Sequence, residues 1–160
     1  YAALTMLLAP ISYGAIQCRV SEVLCILPFF IPCTAWGLFV GCAIANLLSA
    51  AGIFDVIFGS LATLLAALCT AWLGRGAQSW VRCILAALMP VVFNFVLVGA
   101  VLTWSLTDAV FPHLNASFWV FGGQVALGEV IVLGVLGLPL MRLLPRNPKF
   151  REIIRSYQKE

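Results

Sequence analysis

Three groups of polar side chains interrupt an otherwise apolar chain, and their types suit the holding of a small polar molecule. The first is Ser12, Tyr13, Gly14, Gln17, Arg19, Ser21 and Glu22; the second is Asn46 with Asp55; the third is Asn94, Gln124 and Glu129. A carboxylate only accepts hydrogen bonds, an amide both donates and accepts, and a guanidinium donates from a planar fork. Such a set can meet an amine, a donor edge and an acceptor on one ligand. Each group also has a plainer reading. Arg19 and Glu22 are three apart and could pair with each other while capping a helix. Asp55 could be a helix N-terminal charge. Asn94 and Glu129 fall near the centres of their apolar runs, where an unpaired carboxylate is disfavoured as an anion. Glu129 must therefore be neutral, hydrogen-bonded to Asn94 or a similar group, or facing a ligand cavity. A structural polar bond between helices is the alternative. Gln124 precedes Glu129 by five positions and is not on quite the same helix face.

Bond-breaking chemistry has no comparable support. The six cysteines stand at 18, 25, 33, 42, 69 and 83 without a C-x-x-C pair, and His113 is the single histidine, with no ligand partner at metal spacing. Most of the cysteines lie in apolar runs, where a free thiol behaves as a small hydrophobe. No G-x-S-x-G elbow and no phosphate loop occurs. The expectation is a non-enzyme with no catalytic residue, no metal site and no cofactor. Without a nucleotide motif such a chain cannot energise transport by itself.

The elements that position these groups must sit in a membrane. Of 160 residues, 63% are hydrophobic and 9% charged, with a mean hydropathy of +1.09; soluble domains run at roughly 45–50% apolar and about 25% charged. A soluble globule, a disordered chain and a nucleic-acid-binding module are excluded. Residues 1–141 hold three arginines against four acids, whereas residues 142–160 hold six basic residues against two acids. The basic excess is confined to a tail, which reads first as a cytoplasmic topology signal and second as a docking site for anionic lipid or a partner.

Apolar runs between breakers predict a six-helix transmembrane bundle over residues 1–144, followed by a basic cytoplasmic tail over 145–160. The expected helices cover 1–9 (the end of a helix that begins before Tyr1), 21–30 with Ser21 as N-cap, 35–49, 56–74, 83–107 with a kink at Pro90, and 117–144. The tail from Lys149 could form a short amphipathic helix on the membrane surface. Six crossings place both termini in the cytoplasm, put Arg75 and Arg82 inside, and leave loops 10–17, 50–55 and 106–116 outside. Stripes of small residues (Gly37, Gly41, Ala45, Ser49; and Ala62, Ala66, Thr70, Gly74) suit close helix packing, within the bundle or against another subunit. Trp36, Trp72 and Trp80 read as interface anchors; Tyr13, Trp104 and Trp119 could be anchors or walls for a flat ligand.

The run S-Y-G-A-I-Q-C-R-V-S-E-V-L-C-I-L-P-F-F (12–30) resembles the QueT family of queuosine-precursor transporters. So do G-L-F-V-G-C-A-I-A-N-L-L-S (37–49), D-V-I-F-G-S-L-A-T-L-L-A-A-L (55–68) and G-E-V-I-V-L-G-V-L-G-L-P-L (128–140), in the same order along the chain. The resemblance implies a bacterial cell-membrane protein with six helices, the substrate-binding S component of an energy-coupling-factor (ECF) importer. It would work with a transmembrane scaffold subunit and two ATPase subunits. Its implied substrate is a 7-deazaguanine such as the aminomethyl compound, with an S component for another vitamin or purine-like nutrient, or a structural membrane subunit, as alternatives. An A-x-x-x-A docking motif expected on the first helix of S components is not evident in residues 1–9. A flat ring, an amine and a guanine edge would find matching partner types in Tyr13, Gln17, Arg19, Glu22, Asn46, Asp55, Asn94, Gln124 and Glu129.

Overall fold

In lipid no water is at hand to satisfy backbone N–H and C=O groups, so a spanning chain must satisfy them within helices or a closed barrel. The computed structural model describes residues 1–12, 18–49, 52–76, 79–107 and 116–157, and among these every element is helical. Two short helices, α1 (Ala2–Leu7) and α2 (Ala9–Ser12), are followed by a 3-10 helix, Val20–Phe29. Helix α3 (Thr34–Asn46) comes next; a π-helical turn, Asp55–Gly59, then leads into α4 (Ser60–Gly74). Helix α5 covers Trp80–Thr107. Helix α6 (Ala116–Val132) passes through a second π turn, Leu133–Gly137, into α7 (Leu138–Leu143), then a 3-10 turn, Leu144–Arg146, and α8 (Pro148–Tyr157).

Three of these helical runs are long and apolar enough to cross a membrane: Asp55–Gly74, Trp80–Ser105 and Ala116–Arg146. At 1.5 Å per residue even the shortest, of 20 residues, reaches the roughly 30 Å of a hydrocarbon core. Val20–Phe29 and Thr34–Asn46 are apolar but only 10 and 13 residues long, about 20 Å each. The six spans expected from the sequence thus become three long helices and several shorter apolar ones. Val20–Phe29 is wound as a 3-10 helix and carries Pro28. Ser21 is not its cap: the helix begins at Val20, and the buried Ser21 hydroxyl accepts a hydrogen bond from Thr5 Oγ1 at 2.6 Å. Pro90 is buried within α5, which continues past it.

The stripe Ala62, Ala66, Thr70, Gly74 is internal. Its first three residues are fully buried, the Thr70 hydroxyl donates to the Ala86 carbonyl at 3.2 Å, and Gly74 lies against the Phe29 backbone. Gly41 faces Tyr1, whereas Gly37 has open space beside it. Helices α5 and α6 cross closely at Gly99 and Gly122, where a Cβ on Gly99 would stand 2.8 Å from the Gly122 Cα. An apolar core joins Ile26, Phe29 and Phe30 to Cys83, Ala86, Ala87 and Val91 of α5 and to Leu133 and Met141. The amphipathic α8 packs Phe150 and Ile154 against this core, with the Phe150 and Phe30 rings edge to face at 5.6 Å. Large apolar side chains are exposed around the long helices, among them Phe58, Leu68, Val92, Val96 and Ile131, as lipid-facing surfaces allow.

Candidate functional site

Arg19, Glu22, Asn46, Asp55, Asn94 and Glu129 are all buried. Arg19, Glu22, Asn46 and Asp55 lie at or near the ends of their elements, whereas Asn94 and Glu129 lie within α5 and α6. Arg19 directly precedes the 3-10 helix in extended conformation, with φ −80 and ψ 94. Its guanidinium donates to Asn46 Oδ1 at 3.0 Å, on the last turn of α3, and forms an ion pair with Asp55 Oδ2 at 3.3 Å. Asn46 in turn donates from Nδ2 to the Asp55 carbonyl at 2.9 Å. One residue thereby ties the entry of the 3-10 helix to the end of α3 and the start of the long helix Asp55–Gly74.

The π turn Asp55–Gly59 makes this possible. A π turn adds a residue to the helical winding and is frequent at functional sites. Gly59 supplies the space: a Cβ there would stand 2.6 Å from Asn46 Nδ2 and 2.7 Å from Asp55 Oδ1. Ser60 and Thr63 turn their hydroxyls back to the Val56 and Gly59 carbonyls, occupying acceptors that the altered winding leaves available.

Glu22, in the first turn of the 3-10 helix, is the second centre. Its carboxylate accepts from the Tyr1 hydroxyl and from Cys25 Sγ, the latter at 3.0 Å. Asn94, midway along α5, donates from Nδ2 to Glu129 Oε1 on α6. The Cys18 thiol, next to Arg19, donates to the carbonyl of Gly128, next to Glu129, at 3.7 Å, and this contact brings the two halves into one polar cluster. Among the described residues, this cluster sets one guanidinium against three carboxyl groups. Two carboxyl oxygens in it, Glu129 Oε2 and Asp55 Oδ1, are buried without a hydrogen-bond partner among the described residues. Buried acceptors left open are costly. The arrangement can take up hydrogen-bond donors, and a cation, from a molecule that enters it.

A model of the QueT transporter family matches residues 1–146. The chain belongs to the QueT transporter family. No curated protein and no solved structure matches it. Membership in QueT makes the chain a membrane transport protein and points away from an enzyme. The match runs through the whole polar cluster and ends before α8.

Six of the nine residues singled out in this QueT chain therefore meet in one place. Tyr13 and Gln17 lie outside the described residues. Gln124 is half-buried on α6 and makes no hydrogen bond among the described residues; the five-residue offset from Glu129 turns it to another face. The ion pair of Arg19 is with Asp55 and not with Glu22, although the i, i+3 spacing favours the latter. Trp104 and Trp119 stand at the periphery, 41% and 60% exposed, where they pack on Phe54 and Phe95. Tyr1, Cys25 and Gly59 belong to the site and were not singled out by type or position. Cys25 and Gly59 carry a readable signal, since they follow Glu22 by three and Asp55 by four. Tyr1 carries none.

Proposed function

We propose that this chain is the substrate-binding S component of an ECF-type importer and captures a 7-deazaguanine precursor of queuosine, such as the aminomethyl compound. The observation that carries the reading is the open, buried oxygen of Glu129, whose other oxygen is held by Asn94. A carboxylate fixed in this way accepts an ammonium or the donor edge of a guanine-like ring with little reorganisation. An excess of acceptors over donors suits a ligand that is mostly donor and cationic.

In this account Glu22, Asn94 and Glu129 face the ligand, and Tyr13 and Gln17 are counted among the residues that bind it. Arg19, Asn46 and Asp55 hold the surrounding helices, since they bond largely to one another among the described residues. The helical segments form a six-segment bundle over 1–144 with both termini in the cytoplasm and a basic tail over 145–160. Uptake is driven by ATP through a scaffold subunit and two ATPase subunits, because the chain has no nucleotide motif of its own. An S component for another purine-like nutrient would share the bundle and differ in the groups facing Glu129.

Mass spectrometry of the small molecules retained by the purified protein tests the reading. The expected result is a 7-deazaguanine with an exocyclic amine. Retention of an unrelated vitamin would reassign the substrate, and a protein that neither retains nor binds any such compound would remove the capture role.

A further inference from the structure

At one end of the bundle, away from the polar cluster, a cavity of about 240 Å³ is lined by Trp80, Cys83, Met141, Arg142, Pro145 and Arg146. Trp80 opens α5, and the two arginines close the long apolar run Ala116–Arg146. The Arg142 guanidinium lies 3.8 Å over the Trp80 ring. Stacking uses the face of a guanidinium and leaves its in-plane N–H groups free to donate at the edge. Arg142 and Arg146 are both exposed and take part in no ion pair among the described residues. Arg151 approaches from α8, where it donates twice to the Pro145 carbonyl at 3.2 and 3.0 Å. Arg75 and Arg82 belong to the same end, at the close of α4 and the opening of α5. The only acid described on α8 is Glu152, and it pairs with none of these arginines among the described residues.

We propose that this cavity binds the phosphate headgroup of an anionic membrane lipid. Two guanidiniums at its mouth supply charge-assisted donors for a phosphodiester, and Trp80 sits where indoles meet headgroups. A lipid fits better than a soluble phosphate because the cavity is flanked by apolar side chains open to the surroundings. Val81 is 64% exposed and Leu143 56% exposed, and acyl chains leaving the headgroup can lie along them. Basic pockets between helices at the cytoplasmic end of membrane proteins take anionic headgroups in this way. Because Cys83 and Met141 join the cavity to the core under α8, an occupied site would also fix the docking of α8.

Native mass spectrometry of the full chain, delipidated in detergent and then given phosphatidylglycerol, phosphatidylcholine or inorganic phosphate, tests the site. The expected result is retention of phosphatidylglycerol over phosphatidylcholine. Replacing both arginines, Arg142→Gln with Arg146→Gln, should weaken that retention by about tenfold to thirtyfold, on the scale of two cationic side chains near an anionic surface. Arg75→Gln, at the same end of the bundle but outside the cavity, should change it less than threefold. Arg146→Gln alone, at an exposed position, gives an intermediate loss and serves if the double variant does not fold. Equal retention of the two lipids, or an equal loss in Arg75→Gln, would overturn the proposal. Displacement of the lipid by millimolar inorganic phosphate would overturn it in favour of a soluble anion. A double variant that keeps its lipid but no longer co-purifies with partner subunits would assign the cavity to protein docking and overturn it too.

Discussion

Replacing Gly59 with Ala adds a single methyl group at the most crowded point of the polar cluster. The backbone there has right-handed helical dihedrals, φ −67 and ψ −42, so alanine is conformationally acceptable and by propensity favoured by about 1 kcal/mol. Sterics act the other way. The new Cβ would stand 2.6 Å from Asn46 Nδ2 and 2.7 Å from Asp55 Oδ1, whereas ordinary contacts begin at about 3.4 Å, so one side must retreat by roughly 0.7 Å. A retreat of that size by Asn46 stretches its 2.9 Å bond to the Asp55 carbonyl beyond hydrogen-bonding range. Overpacking costs about 1–3 kcal/mol, and a buried amide that loses its partner costs about 1–3 kcal/mol more. Even after the propensity gain, the net is a destabilisation of about 1–5 kcal/mol. In a chain of this size each kcal/mol shifts the melting temperature by roughly 2–4 °C. Gly37→Ala is the matched control, since nothing lies within 4 Å of its Cβ position on α3; it should be neutral or stabilising by up to about 1 kcal/mol. Thermal unfolding of both variants in the same detergent, followed by intrinsic fluorescence, gives the comparison. A Gly59→Ala protein that melts at or above Gly37→Ala would refute the placement of Asn46 and Asp55 around Gly59.

The Arg19–Asp55 pair gives a second expectation. Asp55→Leu alone should cost about 3–5 kcal/mol because it strands a buried guanidinium, and adding Arg19→Met should recover part of that loss; a double variant less stable than the single one would contradict the buried pair. Topology is testable by cysteine labelling in intact cells on a background without the six native cysteines. Gly14→Cys should label from outside and Arg75→Cys only after permeabilisation, and the reverse pattern would invert the proposed orientation.

The sequence made two of the long helices legible because no charge interrupts residues 56–74 or 83–107. Residues 56–74 and 83–107 lie between charges, and the structure places helices over Asp55–Gly74 and Trp80–Thr107. The shorter elements were harder to read. Apolarity alone does not distinguish a 3-10 helix from an α-helix, so the winding of Val20–Phe29 has no signature beyond Pro28. The two π turns are likewise invisible to a 3.6-residue periodicity. The partnership of Asn94 with Glu129 was foreseeable, because two polar groups at mid-span in lipid have few partners but each other. That of Arg19 with Asp55 was not. It depends on the Asp55–Gly59 winding and the absence of a side chain at Gly59, and local spacing pointed to Glu22 instead. Tyr1 shows the limit most clearly, since its hydrogen bond to Glu22 spans 21 positions between separate elements.

The most direct test of ligand capture at Glu129 is titration calorimetry of an aminomethyl-deazaguanine against wild-type protein and Glu129→Gln. Glutamine keeps the size and the hydrogen-bonding reach towards Asn94, removes the charge, and costs less to hold in lipid, so folding should be preserved. Losing one charge-assisted hydrogen bond is worth about 1.5–3 kcal/mol, which predicts binding weakened by roughly tenfold to a hundredfold. Unchanged affinity in a folded Glu129→Gln protein would contradict the account and leave Asn94 and Glu129 as a structural bond between α5 and α6.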